Sequence, residues 1–196
     1  MMYIKELVAA FAPHRGNALV VSGRAGRYWV EFSETGLDLP LGDPSMGGHA
    51  GFSLGLALAQ PDRPVVVFDT EGDLLMNLGI LATIAEQRPR NFYYFLMDNE
   101  VYATTGGQPV PNAQNVAYDA VARACGIERT YAFTEIEQVS RNLKAIFANP
   151  GPVFVWNKVH PEIENAPIGQ RVVWRKRSQA QVINDTRSAL GASPKR

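Results

Sequence analysis

Cysteine is nearly absent: Cys125 is the one thiol among 196 residues. It can close no disulfide within the chain. With no CxxC pair or Cys/His cluster around it, a structural zinc site and an iron–sulfur cluster ligated within the chain are both excluded. Lying in the apolar run Ala120 to Ile127, it reads as a small buried hydrophobe. Excess charge is missing too, since 19 Lys+Arg balance 19 Asp+Glu. No basic stretch is long enough to draw nucleic acid or a membrane surface through its field. The densest run, Arg171 to Arg177 around Trp174, reads as a solvated helix start or a subunit contact. No apolar stretch approaches the roughly 20 residues a bilayer span needs. Met1 to Ala12 reads as an amphipathic helix with Lys5 and Glu6 on its polar side, not as a signal peptide. The expectation is a cytoplasmic chain with no nucleic-acid and no membrane partner. Internal repeats are absent.

Apolar residues make up 46% of the chain, enough for one compact domain. Four runs rich in Val, Phe or Tyr read as parallel strands covered on both faces: Ala18 to Ser22, Pro64 to Asp69, Asn91 to Asp98 and Val153 to Val159. Helical segments lie between them. Ser45 to Gln60 carries Leu54, Leu56 and Leu58, and Leu74 to Gln87 sets Leu74, Leu78, Leu81 and Ala85 on one face. Asn115 to Cys125 and Glu135 to Ala148 follow the same pattern. Strands alternating with helices predict an α/β fold with a single doubly wound parallel sheet flanked by helices. Residues 1–160 form the domain. Residues 161–196 form a polar arm with a helix from Ser178 to Leu190 and a frayed end at Gly191 to Arg196.

Ligands of such sheets sit beyond the carboxyl ends of the strands. Three segments converge there: Gly42-Asp43-Pro44-Ser45-Met46-Gly47-Gly48, Asp69-Thr70-Glu71-Gly72-Asp73, and Asp98-Asn99-Glu100-Val101-Tyr102. Glu71 offers an anionic oxygen, Asn99 an amide oxygen, and the turn after Asn99 a backbone carbonyl. Such a mixed set suits a hard cation that shares its coordination with phosphate oxygens. Gly72 lets the backbone approach a phosphate, and a helix starting near Leu74 aims its amides at it. Strand-end acids also serve as caps and turns, and residue types alone leave both readings open.

The stretch Val65 to Gln108 resembles the diphosphate-binding domain of thiamine-diphosphate enzymes, in particular the sulfopyruvate decarboxylase β subunits and the matching part of phosphonopyruvate decarboxylase. The resemblance rests on Leu74-Leu75-Met76-Asn77-Leu78-Gly79, on Leu81-Ala82-Thr83-Ile84-Ala85, and on Asp98-Asn99 followed by Thr105-Gly106-Gly107-Gln108. Ser45-Met46-Gly47 is similar to the family's G-S-M-G turn, and Glu71 and Asn99 stand 28 positions apart, as the family motif requires. It implies the thiamine-diphosphate-binding fold, with residues 1–160 as its diphosphate and Mg²⁺ domain. Carried over, Glu71, Asn99 and the Val101 carbonyl become magnesium ligands. Gly72 and Asp73 lie against the diphosphate, with Tyr102 beyond the metal loop. Met46 supports the bent cofactor, and the backbone near Pro44, Ser45 and Met46 meets the aminopyrimidine. The family's GDG is Thr70-Glu71-Gly72 here, and its following Ser is Asp73. That places a second carboxylate beside the diphosphate, and either Glu71 or Asp73 can serve as the metal ligand.

The resemblance also implies a 2-oxoacid decarboxylase subunit using thiamine diphosphate and Mg²⁺. It implies a separate pyrimidine-domain subunit supplying the activating Glu, in a hetero-oligomer. Carboligation, an oxidoreductase subunit and a non-catalytic subunit of the same fold are the alternatives. His49, two residues past Gly47, is a candidate proton donor or carboxylate binder, or else a first-turn helix residue at a subunit contact. Tyr102, Thr104 and Thr105 face substrate or pack the loop. Gln108 closes over the cofactor or sits in a turn, and Asn77 contacts the diphosphate region or a neighbouring subunit. Tyr93, Tyr94 and Phe95 read as core, and His14 and His160 as surface. Sulfonate- and phosphonate-bearing oxoacids need nearby cations. Arg24 and Arg27 leave that choice open, because much of the pocket would belong to the partner.

Overall fold

The computed structural model describes residues 1–40, 46–164, 166–167 and 169–192. In chain order the elements are α1 (Ile4–Phe11), β1 (Leu19–Val21), α2 (Gly26–Trp29), β2 (Asp38–Leu39), α3 (His49–Ala59), β3 (Val65–Thr70), α4 (Glu71–Met76), α5 (Ile80–Gln87), β4 (Phe92–Asp98), β5 (Val101–Tyr102), β6 (Gln108–Pro109), α6 (Tyr118–Ala124), β7 (Arg129–Phe133), α7 (Ile136–Phe147), β8 (Val153–Lys158) and α8 (Gln179–Ala189). Short 3-10 turns cover Ala12–His14 and Gly23–Ala25.

All pairings in the six-stranded sheet are parallel, in the order β2-β1-β3-β4-β8-β7. Parallel neighbours require crossovers, and the helices that make them cover both faces. Along β4 the period of two divides the strand between two cores. Tyr93, Phe95 and Met97 join α1 and α7 residues such as Phe11 and Leu143. Phe92, Tyr94 and Leu96 join Leu54 of α3, Leu81 and Ile84 of α5 and Tyr118 of α6. Tyr93, Tyr94 and Phe95 are thus buried as expected.

The four expected strands are present, but β2 and β7 escaped the sequence reading. Both lie at sheet edges, where one side needs no apolar cover: β2 is two residues long and β7 reads Arg-Thr-Tyr-Ala-Phe, mostly half-buried. The β5–β6 hairpin was also unforeseen. The helix expected over Leu74 to Gln87 is two helices, broken at Asn77, whose φ of −145° and ψ of 48° leave helical space. The break rotates Leu78 out of the face shared by Leu74, Leu81 and Ala85, and it is 36% exposed. On α3, Leu54 is buried while Leu58 is exposed, because residues four apart share a helix face only when neither is at its margin. Ser45, the expected start of that segment, lies outside the described residues. Cys125 is half-buried at the rim of a core instead of inside it. His14 is exposed, whereas His160 is half-buried with its ring 4.5 Å from that of Tyr3.

The arm is bound to the domain. Ser178 caps α8 by accepting from Gln181 N–H, and Val182 enters the core beside Leu39. The basic run ahead of the helix makes contacts within the chain. Arg171 donates to the Thr104 carbonyl, Lys176 pairs with Glu34, and Arg177 pairs with Asp185 and donates to the Thr35 and Asp38 carbonyls. Residues 193–196 of the expected frayed end lie outside the described residues. No helix among the described residues is long and apolar enough to cross a membrane.

Truncating Leu81 to Ala removes a fully buried side chain and is expected to cost about 2–5 kcal/mol, while Leu78→Ala costs under about 1 kcal/mol. Urea unfolding of the isolated chain checks this. Equal losses would mean that α4 and α5 form one continuous helix.

Candidate functional site

Three strand ends bring the named segments together. β3 runs into α4 without a loop, so the helix begins at Glu71, three residues earlier than expected, and Gly72 and Asp73 sit in its first turn. Glu71 is completely buried. Its Oε2 accepts the Asn99 backbone N–H at 3.2 Å, while Oε1 is buried with no hydrogen-bond partner among the described residues. Asn99 Oδ1 accepts from Val101 N–H at 3.0 Å. The turn between them is held by Glu100 in left-handed backbone, φ 66°. Val101 pairs in the β5–β6 ladder with Pro109, which has no N–H to offer its carbonyl. The three groups named from the sequence as metal ligands are therefore neighbours. Tyr102 packs its ring over Gly72, where a Cβ would lie 2.9 Å from it. That contact requires glycine at 72 independently of any phosphate.

Burial, and then the charge of Asp98, push the Glu71 carboxyl up to about 8. Asp98 itself is matched: its Oδ2 accepts from Trp156 Nε1 at 2.8 Å and meets Lys158 Nζ at 2.9 Å. A buried carboxylate with one open oxygen, beside an amide oxygen and a second acid, has the donor set of a hard cation. The residues fit Mg²⁺.

Asp73 is turned elsewhere. Its Oδ1 accepts Gly47 N–H at 2.6 Å and its Oδ2 meets His49 Nδ1 at 3.0 Å. Four residues on, at the α4–α5 break, Asn77 Nδ2 donates to the Gly47 carbonyl at 3.1 Å. Both backbone groups of Gly47 are thereby clamped by α4. Gly47 has φ 79°, and an added Cβ would lie 3.0 Å from Asn77 Cβ, so glycine is required twice over. The clamped turn presents Met46, 64% exposed, at the surface. Pro44 and Ser45, named from the sequence for cofactor contacts, lie outside the described residues.

Beneath the clamp, ligand atoms of His49, Asp69 and Asp73 lie within 4.8 Å of one another. Burial, and then Asp73, raise the Asp69 carboxyl to about 7, although Tyr94 donates its hydroxyl to Oδ2 at 2.6 Å. Burial also opposes ionisation of Asp73, but the hydrogen bonds from His49 and Gly47 outweigh it and lower its pKa. With Asp73 ionised, His49 Nδ1 is the donor and the ring is held in one orientation. Asp69 and Tyr94 were not singled out from the sequence. Strand-end position was the available signal for Asp69, whereas Tyr94 reads as core and is core except at its hydroxyl. Thr105 and Gln108 hydrogen-bond each other across Gly106-Gly107, Thr105 Oγ1 to Gln108 Oε1 at 3.1 Å and Gln108 Nε2 to the Thr105 carbonyl at 2.7 Å, and so act as turn residues. Thr104 is half-buried and gives its carbonyl to Arg171.

Both raised carboxyls bear on stability in the metal-free chain. Asp69 shifts from 3.8 to about 7 and Glu71 from 4.5 to about 8, so the folded state holds protons that the unfolded chain releases. Their contribution is complete below the unfolded values and is lost as pH rises through the folded ones. The urea midpoint of the metal-free chain should fall from about pH 5 to about pH 8, and Glu71→Gln should flatten much of that fall. A midpoint that rose over this window would contradict the assignment.

Comparison with known proteins agrees with this geometry. The family "Thiamine pyrophosphate enzyme, C-terminal TPP binding domain" matches residues 23–156. Phosphonopyruvate decarboxylase of Streptomyces viridochromogenes is 40% identical over 117 residues, which cover 60% of this chain and 29% of that protein. The sulfopyruvate decarboxylase β subunit of Methanocaldococcus jannaschii is 34% identical over 132 residues, covering 63% of this chain and 68% of the relative. That of Methanothermobacter thermautotrophicus is 40% identical over 124 residues, covering 63% of each. The X-ray structure of a protein described as a thiamin diphosphate-dependent enzyme, from Mycobacterium smegmatis, superimposes with a TM-score of 0.67 at 17% identity, over 82% of this chain and 32% of that one. At that identity it speaks for the fold alone. The family match over most of the sheet and the β-subunit relatives together establish that this chain belongs to the thiamine pyrophosphate enzymes, as a C-terminal TPP-binding domain.

Proposed function

We propose that this chain is the diphosphate-binding subunit of a cytoplasmic, heteromeric thiamine-diphosphate- and Mg²⁺-dependent 2-oxoacid decarboxylase. The observation that carries the reading is the buried Glu71 carboxylate, with one oxygen satisfied by Asn99 and the other open. The relatives' names support the reaction class, and "subunit beta" supports a partner chain. The aligned stretch spans 29% of the phosphonopyruvate decarboxylases. A second polypeptide carrying the pyrimidine-binding domain and its activating Glu completes the site in this reading.

Bound thiamine diphosphate supplies a nucleophilic carbon and the electron sink that lets carbon dioxide leave a 2-oxoacid. The chain's own residues do the rest. Glu71, Asn99 and the Val101 carbonyl would hold the metal, and the Gly72 and Asp73 amides at the start of α4 would meet the diphosphate. The Gly47 clamp would fix Met46 as a support for the cofactor. His49, oriented by Asp73, holds a proton at the edge of the site. Tyr102 packs down the first turn of α4. Asp73 serves as the clamp and Glu71 as the metal ligand, so the carboxylate that stands where relatives carry Ser does not oppose the diphosphate.

Calorimetry of the chain with its partner subunit tests this. Glu71→Ala and Asn99→Ala should each abolish Mg²⁺-dependent thiamine diphosphate binding, a loss of at least about a hundredfold. Asp73→Ala should weaken it about tenfold while preserving the metal requirement. Binding that survives Glu71→Ala but fails in Asp73→Ala would move the metal ligand. No binding by the wild-type pair would leave a non-catalytic subunit. Asn77→Ala, which opens half of the Gly47 clamp, should lower kcat more than it lowers cofactor affinity.

A further inference from the structure

Tyr118 opens α6 and is completely buried, yet its hydroxyl has no hydrogen-bond partner among the described residues. The ring accounts for the burial. It meets the Trp156 indole edge-on, with centroids 6.0 Å apart, in the core that also holds Leu74 and Leu96. The hydroxyl adds nothing to that packing, and a phenylalanine ring would fill the same space. A hydroxyl taken out of water without a partner destabilises a fold.

The surroundings identify an acceptor for it. Trp156, on which the ring rests, donates Nε1 to Asp98 Oδ2 at 2.8 Å, and the next residue, Asn99, donates its N–H to Glu71 Oε2 at 3.2 Å. Tyr118 therefore stands at the strand end that carries the candidate metal ligands. Burial, and then the charges of Asp98 and Glu71, push the phenol up, so near neutrality it keeps its proton and is a donor. Asp98 is already committed: Oδ1 accepts Glu100 N–H at 3.2 Å, and Oδ2 serves Trp156 and Lys158. Glu71 Oε1 is buried and uncommitted. Asn157 Oδ1 also lacks a partner, but Asn157 continues the alternation of Val153 and Val155 toward the α1–α7 core, across the sheet from Phe154 and Trp156. The phenol and the Glu71 oxygen are left as a donor and an acceptor of matching kind. They are not bonded directly, and two buried polar groups separated by more than a hydrogen bond are commonly joined by an ordered water.

We propose that Tyr118 is a positioning residue of the metal centre: through one buried water, its hydroxyl holds the open oxygen of Glu71 in place. A carboxylate oxygen has two lone-pair sites, so Oε1 can take the water and a cation together. Outer donors of this kind fix the orientation of a ligating carboxylate and raise metal affinity. The consequence for the metal rests on reading Glu71 as its ligand; the contact between Tyr118 and Glu71 does not.

Two measurements on wild type and Tyr118→Phe test this. The first is a high-resolution crystal structure of the metal-free chain. It should show one water within hydrogen-bond distance of both Tyr118 Oη and Glu71 Oε1, and Tyr118→Phe should lose that water and let the Glu71 carboxylate turn. The second is Mn²⁺ binding to the assembled pair with thiamine diphosphate, followed by electron paramagnetic resonance. Tyr118→Phe should weaken Mn²⁺ about tenfold, with a urea midpoint close to wild type because the ring is kept. Density without a bridging water, or Mn²⁺ affinity unchanged in Tyr118→Phe, overturns the proposal and leaves the metal reading of Glu71 intact. A urea midpoint that collapses together with Mn²⁺ affinity overturns it in favour of a packing role. If the wild-type pair binds no Mn²⁺, the metal reading falls, and with it the metal half of the proposal, while the two crystal structures still decide whether Tyr118 positions Glu71.

Discussion

A carboxylate removed from water with one oxygen left open is the constraint around which this edge of the sheet is built. Three acids stand at or just past the ends of β3 and β4, and each is treated differently. Asp98 is neutralised by the Lys158 ammonium and the Trp156 indole. Asp69 is raised to about 7 and takes the Tyr94 hydroxyl bond, so near neutrality a proton shares its burden. Glu71 is raised further, to about 8, by burial and then by Asp98, and its Oε2 accepts the Asn99 amide. Burial of a charge is tolerated when it is paired, protonated or bound to a metal; Asp98 takes the first solution, Asp69 and the metal-free Glu71 the second.

The second acidic residue of the same turn shows how one added carboxylate is absorbed. Asp73 sits two residues from Glu71, yet α4's geometry points the two side chains apart, because successive residues of a helix are about 100° apart. Turned away from Glu71, Asp73 takes up the Gly47 amide and the His49 ring. The loop that carries Met46 is then fastened to the helix that carries Glu71. Through this fastening, the Met46 turn and Glu71, the proposed cofactor support and metal ligand, are held on one helix.

Much of this was legible in the sequence because apolar runs and motif spacing are local signals. The buried strands announce themselves through unbroken Val, Phe and Tyr, and Glu71 and Asn99 through their places at strand ends and the family resemblance. What stayed hidden depends on contacts made in three dimensions. β7 carries Arg129 and Thr130, which an edge strand can leave half-exposed, so it lacks the continuous apolar run of β4. The α4–α5 break at Asn77 arises where that side chain bonds Gly47, a residue 30 positions away. The pairing of the basic run with Glu34, Thr35 and Asp185 is invisible until the arm is laid against the domain.

The indole of Trp156 is hydrogen-bonded to Asp98, whose charge also acts on Glu71. The other two tryptophans lie elsewhere, Trp29 on Asp38 and Trp174 against Gly26. Indole emission responds to the electric field along the ring, and a divalent charge arriving between Glu71 and Asn99 would change that field at Trp156 far more than at its two counterparts. If the proposed cation binds there, the fold would contain its own optical gauge of occupancy, readable without any label.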